Sequence, residues 1–492
     1  MGSVTKTVTA DDPVIRAQAL DPNRWLIPQQ HADIPRFTQG NRVEPLIDGQ
    51  AAFAAMHTAF TATANAEDYI YITGWDLVPA IHLLGRSVPA STVDAVLSSA
   101  AGRGVDVRML IWVITTPFTI TGVNTFMDGK TRDTTGSHHQ KTAAVHANNT
   151  LTSFVGGIDM TRDRWDTPAH NFPDPNADYK GSGQPWHDVH AKVNGPAAAD
   201  IETNIRHRWN DTRVVFRPPI GPPIGTPPPT PPMPVHPVPA AVPGGTHIVQ
   251  TLRTFPHHAT FGTFNWPYDF APTGESGLRR AYLNAIGNAR EYIYIEDQYM
   301  ISDDVISPAI AAAMRRSPQL QVILVTAPEP DTGTQNIKDA FDFHQNRFVA
   351  NLRAVDASRV QIFHLENLGS PRTPIYCHSK VCIIDDIWAI IGSCNMSTRS
   401  LTHDSEISIA VVDLAVEHGR RRFARDLRIA LWSEHLGLTP AERSLINDPL
   451  AGAAEWRSRA GTPPAHAVVH TRPAGSDSIL WRTFVDPDGS GP

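Results

Sequence analysis

An α/β fold in two similar halves, with mixed, mainly parallel sheets packed about an approximate two-fold axis, is predicted by three features of this chain. Strand-like and helix-like segments alternate, which favours buried sheets covered by helices. Four such elements recur in the same order in the two parts of the chain, and a proline-rich tract separates the copies. At 492 residues and 41% hydrophobic content, the chain can bury the core that such a molecule needs.

The repeat is read element by element. NAEDYIYITGWD at 65–76 answers NAREYIYIEDQY at 288–299, each a helix end running into a β-branched and aromatic strand. STVDAVLSSAAGRGVDVRMLIWV at 91–113 answers SPAIAAAMRRSPQLQVILV at 307–325, each a helix, a break and a strand. HHQKTAAVHANNTLTSFVGG at 138–157 and CHSKVCIIDDIWAIIGS at 377–393 both read as strand, polar turn, strand. AADIETNIRHRWN at 198–210 and FARDLRIALWSEHLG at 423–437 carry apolar residues at helical spacing toward Trp209 and Trp432. The boundaries predicted are 1–216 for the first half, 217–245 for a proline-rich linker or loop, 246–440 for the second half and 441–492 for a surface tail. In the linker, proline excludes helix interior and ladder pairing, leaving extended chain that serves as a spacer or as a ligand for a proline-recognising module.

Composition narrows the function classes. No apolar run reaches the roughly 18 to 20 residues of a membrane crossing, and the N-terminus lacks the pattern of a secretion signal, so a cytoplasmic location is expected unless another export route is used. A formal charge of −7 with no long basic run argues against general affinity for nucleic acid. Cys377, Cys382 and Cys394 are odd in number and spaced unlike a zinc site, and read as packed, reduced thiols.

The repeat delivers one chemistry twice, as HQK at His139 to Lys141 and HSK at His378 to Lys380. Residues i and i+2 of a strand share a face, so each histidine and lysine point together while Gln140 and Ser379 point away. Two such pairs meeting at the axis place two imidazoles and two ammonium groups around one small site. One imidazole can attack phosphorus and hold it covalently, the other can protonate the leaving oxygen, and the lysines offset the oxygens' charge. This arrangement requires no metal and no cofactor.

His378-x-Lys380-x-x-x-x-Asp385 resembles the HxKxxxxD motif of the phospholipase D superfamily. The flanks resemble its lipid-cleaving branch: GSCNMSTRSLTHDSEI (392–407), YIYITGWD, YIYIEDQY, GGID (156–159), WHDVH (186–190) and the RHRWN helix. The resemblance covers roughly 45–440 and implies the family's phospholipase D-like fold, a two-histidine mechanism, and hydrolysis or alcohol exchange at a phosphodiester. By resemblance His139 is the nucleophile and His378 the general acid, and Lys141, Lys380 and Asn395, with Ser393 beside them, hold phosphate. Asp159 and Trp186 fall in the matching flanks as substrate-binding candidates. Each imidazole needs a carboxylate at its far nitrogen; the matching positions are Asp188 for His139 and Glu406 for His378.

One position departs from the motif, since His146 stands where the first copy wants aspartate. The position meets a turn, where aspartate serves backbone hydrogen bonding and where Asn148 and Asn149 can do the same, so a structural replacement is expected rather than loss of activity. His187 and His190 in HDVH read as surface or supporting groups rather than metal ligands, and His138 as a neighbour on the opposite face. Trp165, Phe172, Tyr179 and Trp186 lie in a loop-rich segment, 164–188, that forms either a mouth touching acyl chains or a set of anchors on the domain body. A second aromatic loop spans 255–275.

The expected protein is a metal-independent phosphodiesterase acting on glycerophospholipids, a monomer that contacts a lipid aggregate or membrane surface peripherally and binds no nucleic acid. The competing readings are a superfamily nuclease, a phosphatidyl transferase of the cardiolipin-synthase type, and an inactive lipid-binding scaffold.

Overall fold

A computed structural model describes residues 21–113, 117–131, 135–181, 183–212, 231–257, 267–331, 334–369, 372–478 and 480–489. The first half is built on β1 (Thr38–Ile47), β2 (Tyr69–Gly74), β3 (Asp106–Trp112), β4 (Asn124–Asp128), β5 (Thr142–Ala147), β6 (Thr150–Gly156), the two-residue β7 (Trp186–His187) and β8 (Val189–Asn194). The second uses β9 (His247–Phe255), the short β10 (Glu275–Ser276), β11 (Tyr292–Asp297), β12 (Gln321–Val325), β13 (Val360–Asn367), β14 (Thr373–Cys377), β15 (Lys380–Ile384), β16 (Trp388–Gly392) and β17 (Glu406–Asp413). The strand orders are β4-β3-β2-β5-β6-β8-β1 and β13-β12-β11-β15-β16-β17-β9, the same path twice. The sheets are mixed as expected, with parallel pairing confined to β2-β3-β4 and β11-β12-β13 and antiparallel pairing across the rest of each order, a larger antiparallel share than the sequence suggested. The reason is local: β2–β3, β11–β12 and β12–β13 cross over through helices and β3–β4 through the connection after Trp112, whereas the strand–turn–strand segments close as hairpins.

YIYITG and YIYIED form the strands at the parallel-to-antiparallel switch, and every residue of both is buried. Helices cover the sheets: α1 (Asp48–Thr61), α2 (Val93–Gly102), α3 (Pro196–Asn210), α4 (Gly277–Asn288), α5 (Ile306–Arg316), α6 (Gln335–Asp356), α7 (Arg422–His435) and α8 (Pro449–Arg459). Proline at the first turn of α3 and of α8 suits a position that has no hydrogen bond to lose. β1 pairs with β8 and, at Thr38, with Val249 of β9, so the halves are joined along a sheet edge. One core cluster draws Val155, Val189 and Val193 from the first half and Val381, Ile391 and Ile407 from the second. Trp209 and Trp432, the ends of the repeated helices, are fully buried.

Of the proline-rich tract, 231–245 is described and is neither helix nor ladder; residues 217–230 lie outside the described residues. The described part is laid against the first half: Trp209 Nε1 donates to the Pro231 carbonyl at 3.2 Å, and Met233 is buried. Likewise, 258–266 of the second aromatic loop lies outside the described residues, while Phe255, Tyr268 and Ala271 beside it form a small buried cluster.

The surface tail expected at 441–492 is overturned. Trp456 of α8 is fully buried, 5.8 Å from Trp432 and 5.0 Å from Phe363 by ring centroid, and Ala467–Val469 pairs antiparallel with β13. Its glycine, alanine and proline content suggested a tail, but two tryptophans, Trp456 and Trp481, supply enough apolar area to dock it. Trp456→Ala is therefore expected to cost about 3–5 kcal/mol in denaturant unfolding; a loss within about 0.5 kcal/mol, the usual range for a surface site, would contradict the packing.

Candidate active site

β5 begins immediately beyond Lys141 and β15 begins at Lys380, and the segments that carry the histidines dock across the molecular axis. His139 N–H donates to the Ser405 carbonyl at 3.0 Å, and Ser405 N–H donates to Ser137 at 3.0 Å. His378 N–H donates to the His187 carbonyl at 2.8 Å, continuing the parallel pairing of β14 with β7. Each histidine is thereby laid beside the acidic segment of the opposite half. Glu406 meets His139 Nδ1 at 3.0 and 3.1 Å, and Asp188 meets His378 Nδ1 at 2.7 Å. This corrects the expected assignment of Asp188 to His139 and Glu406 to His378. The repeat locates both carboxylates, but which histidine each meets is decided by the two-fold packing, which no spacing encodes.

His139 and His378 line one cavity of about 380 Å³ together with Asp159, Trp186 and Asn395. Lys141, Lys380, Asp188, Glu406 and Ser393 lie behind that wall. Each lysine turns back to the carbonyl of its own histidine, Lys141 at 3.0 Å, as the shared strand face requires. Lys141 is also ion-paired with Asp159 at 3.0 Å, and Asp159 Oδ1 accepts from Trp75 N–H at 2.9 Å, so Asp159 anchors the lysine rather than waiting for substrate. Ser393 is also reassigned: its carbonyl lies 3.0 Å from His139 Nδ1 and its hydroxyl donates to Glu406. Asn395 remains on the cavity with a buried Oδ1 that has no hydrogen-bond partner among the described residues.

Burial, together with the ammonium groups of Lys141 and Lys380, holds the His139 imidazole well below its ordinary range; burial, Lys380 and Arg164 do the same to His378. At neutral pH both rings are uncharged. With Nδ1 of each ring facing a carboxyl group of the opposite half, Nε2 is the nitrogen left to act on a substrate. Burial and the adjacent Asp404 push Glu406 up to about 8, and burial pushes Asp188 up to about 6. Burial draws Lys380 down to about 8 against the carboxylates of Asp188 and Asp297.

His146, the penultimate residue of β5, stands 3.4 Å from Asp68 Oδ1 and stacks on Tyr69. Asn148 and Asn149 take the positive φ values of 51° and 57° at the hairpin, matching Asp385 and Asp386 at 57° and 52°. His138 faces away from the cavity, toward Asp128 and Ser405. In the loop 164–188, Trp165 is buried as an anchor, whereas Trp186 is both anchored and exposed to the cavity, stacked on Tyr376 at 4.5 Å. Sequence reasoning missed Arg164, Gln298, Tyr299, Arg399 and Phe484 on the cavity wall. Gln298 and Tyr299 follow the repeated YIYI strand and could have been inferred from it; Phe484 comes from the segment read as a tail.

His187, expected as a surface or supporting group, is fully buried in a second cluster of titratable groups behind β7. The ring nitrogens and carboxylate oxygens of Asp48, His170, His187 and Glu434 converge as ion pairs 2.9 to 3.9 Å apart. Their outer atoms are held too, His170 Nδ1 by Asp166 at 3.0 Å and His187 Nε2 by Glu296 at 3.1 Å. Burial lowers both imidazoles, but Asp48 and Asp166 raise His170 to about 10, and Glu296 and Asp48 raise His187 well above its usual range. Two protons or one divalent cation balance this charge, and the donor set and its outer carboxylates suit a cation. His190 is buried beside Lys141, and burial takes it down to about 3.

The crossed pairing has a direct test in nitrogen NMR of the histidine rings. Glu406→Gln is expected to shift the His139 Nδ1 resonance and leave His378 unchanged, with Asp188→Asn doing the reverse; the uncrossed pattern would refute it.

The family described as "Phospholipase D" matches residues 124–220, and that described as "Cardiolipin synthase, PLD-like domain" matches 282–427. Phospholipase D alpha 1 of Nicotiana tabacum is 27% identical over 77% of this chain and 63% of its own length. Phospholipase D A of Dictyostelium discoideum is 27% identical over 83% of this chain and 37% of its own. The chain thus spans less than two thirds of the curated relatives it matches. In fold it is similar to the crystal structure of phosphatidylserine synthase of Haemophilus influenzae Rd KW20, with a TM-score of 0.50 and 11% identity over 90% of this chain and 99% of that one. Among the described residues no helix is long and apolar enough to cross a membrane. With one family match on each half, each enclosing a histidine that opens on the common cavity and the lysine behind it, the matches and the relatives support the phospholipase D superfamily as the family of this chain.

Proposed function

We propose that the protein is a phospholipase D-type phosphodiesterase that hydrolyses glycerophospholipids to phosphatidate and a head-group alcohol, and that exchanges the head group when another alcohol is present. The observation that carries this reading is a pair of uncharged imidazoles on one cavity, each with Nδ1 held by a buried carboxylate of the opposite half. His139 Nε2 attacks phosphorus, forming a phosphorus–nitrogen bond as the bond to the head-group oxygen breaks. The incoming phosphodiester brings negative charge next to His378 and offsets the cations that keep it unprotonated, so His378 gains a proton to give to that oxygen. Water or an alcohol then attacks phosphorus, His378 takes its proton, and His139 leaves. Lys141, Lys380 and Asn395 offset charge on the phosphoryl oxygens. Both histidines come from one chain, so a monomer suffices. The substrate is met at a lipid surface, against which the exposed Phe484 on the cavity wall can rest.

Head-group release from phosphatidylcholine micelles is expected to fall by about a thousandfold or more in His139→Ala and in His378→Ala, because groups acting as a unit fail together. Activity persisting in either variant would refute the reading. Added ethanol should yield phosphatidylethanol at the expense of phosphatidate. Lysine is protonated below its pKa, and Lys380 sits at about 8. The kcat/KM of the wild type should therefore decline as pH rises through about 8, and this limb should move to higher pH in Lys380→Arg, whose side chain stays protonated.

A further inference from the structure

Arg164 is a cation on the cavity wall that helps to keep His378 unprotonated, and the proposed mechanism gives it no contact with the substrate. Its guanidinium carbon lies 3.5 Å from the centre of the Trp186 ring, and Trp186 in turn lies 5.1 Å from His378 and stacks on Tyr376. Among the described residues it has no salt-bridge partner: Asp159, Asp163 and Asp188 act on it only from a distance, Nη1 donates to the Arg162 carbonyl at 3.2 Å, and Nε is buried without a partner. A stacked, partly dehydrated guanidinium with no carboxylate in contact leaves donor capacity unmet.

The loop holds it there. Asp163 takes φ +65°, Gln50 N–H donates to Asp166 at 2.9 Å, and a Cβ on Gly49 would stand 1.7 Å from the Arg164 carbonyl oxygen, so only glycine at the start of α1 lets this backbone lie so close. Trp186 N–H closes the arrangement by donating to Asp166 Oδ2 at 2.6 Å. The side chain is thus pre-placed, and binding an anion there requires little reordering.

We propose that Arg164, backed by Trp186, is a specificity-determining residue that binds an anionic group carried by the phospholipid head group itself, a carboxylate or a second phosphate. This deepens the phospholipase reading and rests on it, because the side of His378 is the side from which the protonated head-group alcohol leaves. With the Trp186 face covered by a guanidinium, a quaternary ammonium head group cannot stack on that ring.

The test compares phosphatidylserine and phosphatidylcholine in neutral-detergent micelles, with phosphatidylglycerol controlling for lipid charge. The wild type should favour phosphatidylserine. Removing a cation beside His378 changes turnover of all three lipids in common, so the readout is the ratio: Arg164→Gln should raise KM for phosphatidylserine about tenfold or more relative to KM for phosphatidylcholine and phosphatidylglycerol, the scale of losing a charge-assisted hydrogen bond. Arg164→Lys should recover part of the loss. Equal losses on all three lipids would assign Arg164 to the reacting phosphodiester or to the fold, and no loss would also overturn the proposal. A second measurement separates this subsite from the reaction: binding of sn-glycero-3-phosphoserine and sn-glycero-3-phosphocholine to His139→Ala, read by tryptophan fluorescence. Arg164-dependent preference for the serine compound in a protein whose wild type cleaves no lipid would sustain the subsite and end the phospholipase reading. Cleavage of lipids with no Arg164-dependent preference in binding would do the opposite.

Discussion

The site depends on an exchange of carboxylates across the molecular axis. His139 is oriented by Glu406 and His378 by Asp188, so neither half holds a complete unit by itself. The exchange is produced by main-chain hydrogen bonds, His139 to Ser405 and His378 to His187, which fix the depth at which each histidine segment inserts beside its partner. A relative shift of the two halves by even one residue would separate both pairs at once. The continuous sheet edge at β1 and β9 and the core shared between the halves resist such a shift. Catalytic geometry and interdomain packing are therefore one constraint.

That constraint makes the electrostatics affordable. Two ammonium groups and several carboxylates are buried within a small volume, and each would be costly alone. Lys141 has Asp159 in contact and Lys380 has Asp188 and Asp297 nearby. The net effect on the imidazoles is to keep them uncharged, as the proposed attack of His139 on phosphorus requires. The same cations that suppress histidine protonation in the free site are those an incoming phosphodiester would neutralise, so substrate charge itself can switch one ring from base to acid.

Much of this was legible in the sequence because the protein states it twice. The strand–helix repeat located β2, β3, β5, β6 and their second-half counterparts, and the i and i+2 spacing put each lysine on its histidine's side. What could not be read follows from packing in three dimensions. Asp188 and Glu406 were found but exchanged, since sequence order says nothing about which half faces which. Ser393 and Asp159 matched phosphate-site flanks, yet their nearest charged neighbours, Glu406 and Lys141, claim them. The 441–492 segment looked featureless because only its two tryptophans carry the docking, and composition averages them away. Asp48, His170, His187 and Glu434 come from four separated places and show no spacing that would join them.

The departure at His146 shows how far a motif position can be separated from chemistry. In the second half, Asp385 accepts hydrogen bonds from the backbone N–H groups of Arg290, Glu291 and Tyr292 at 2.7 to 2.8 Å and touches neither histidine. In the first half β5 runs two residues further before turning, which carries the left-handed positions to Asn148 and Asn149. The amides that an aspartate at 146 would have served find other acceptors: Glu67 N–H donates to the Asn65 side chain at 2.8 Å and Asp68 N–H to the Asn65 carbonyl at 3.1 Å. A carboxylate is still present, but on the neighbouring strand end, where Asp68 accepts from Ala64 N–H and faces the His146 ring. The motif aspartate is thus a device for closing the hairpin behind the histidine–lysine pair, and a longer hairpin with an asparagine turn closes it equally well. Because the substitution is absorbed on the side of the sheet away from the cavity, it leaves His139, Lys141 and Glu406 in the same relation as their second-half counterparts.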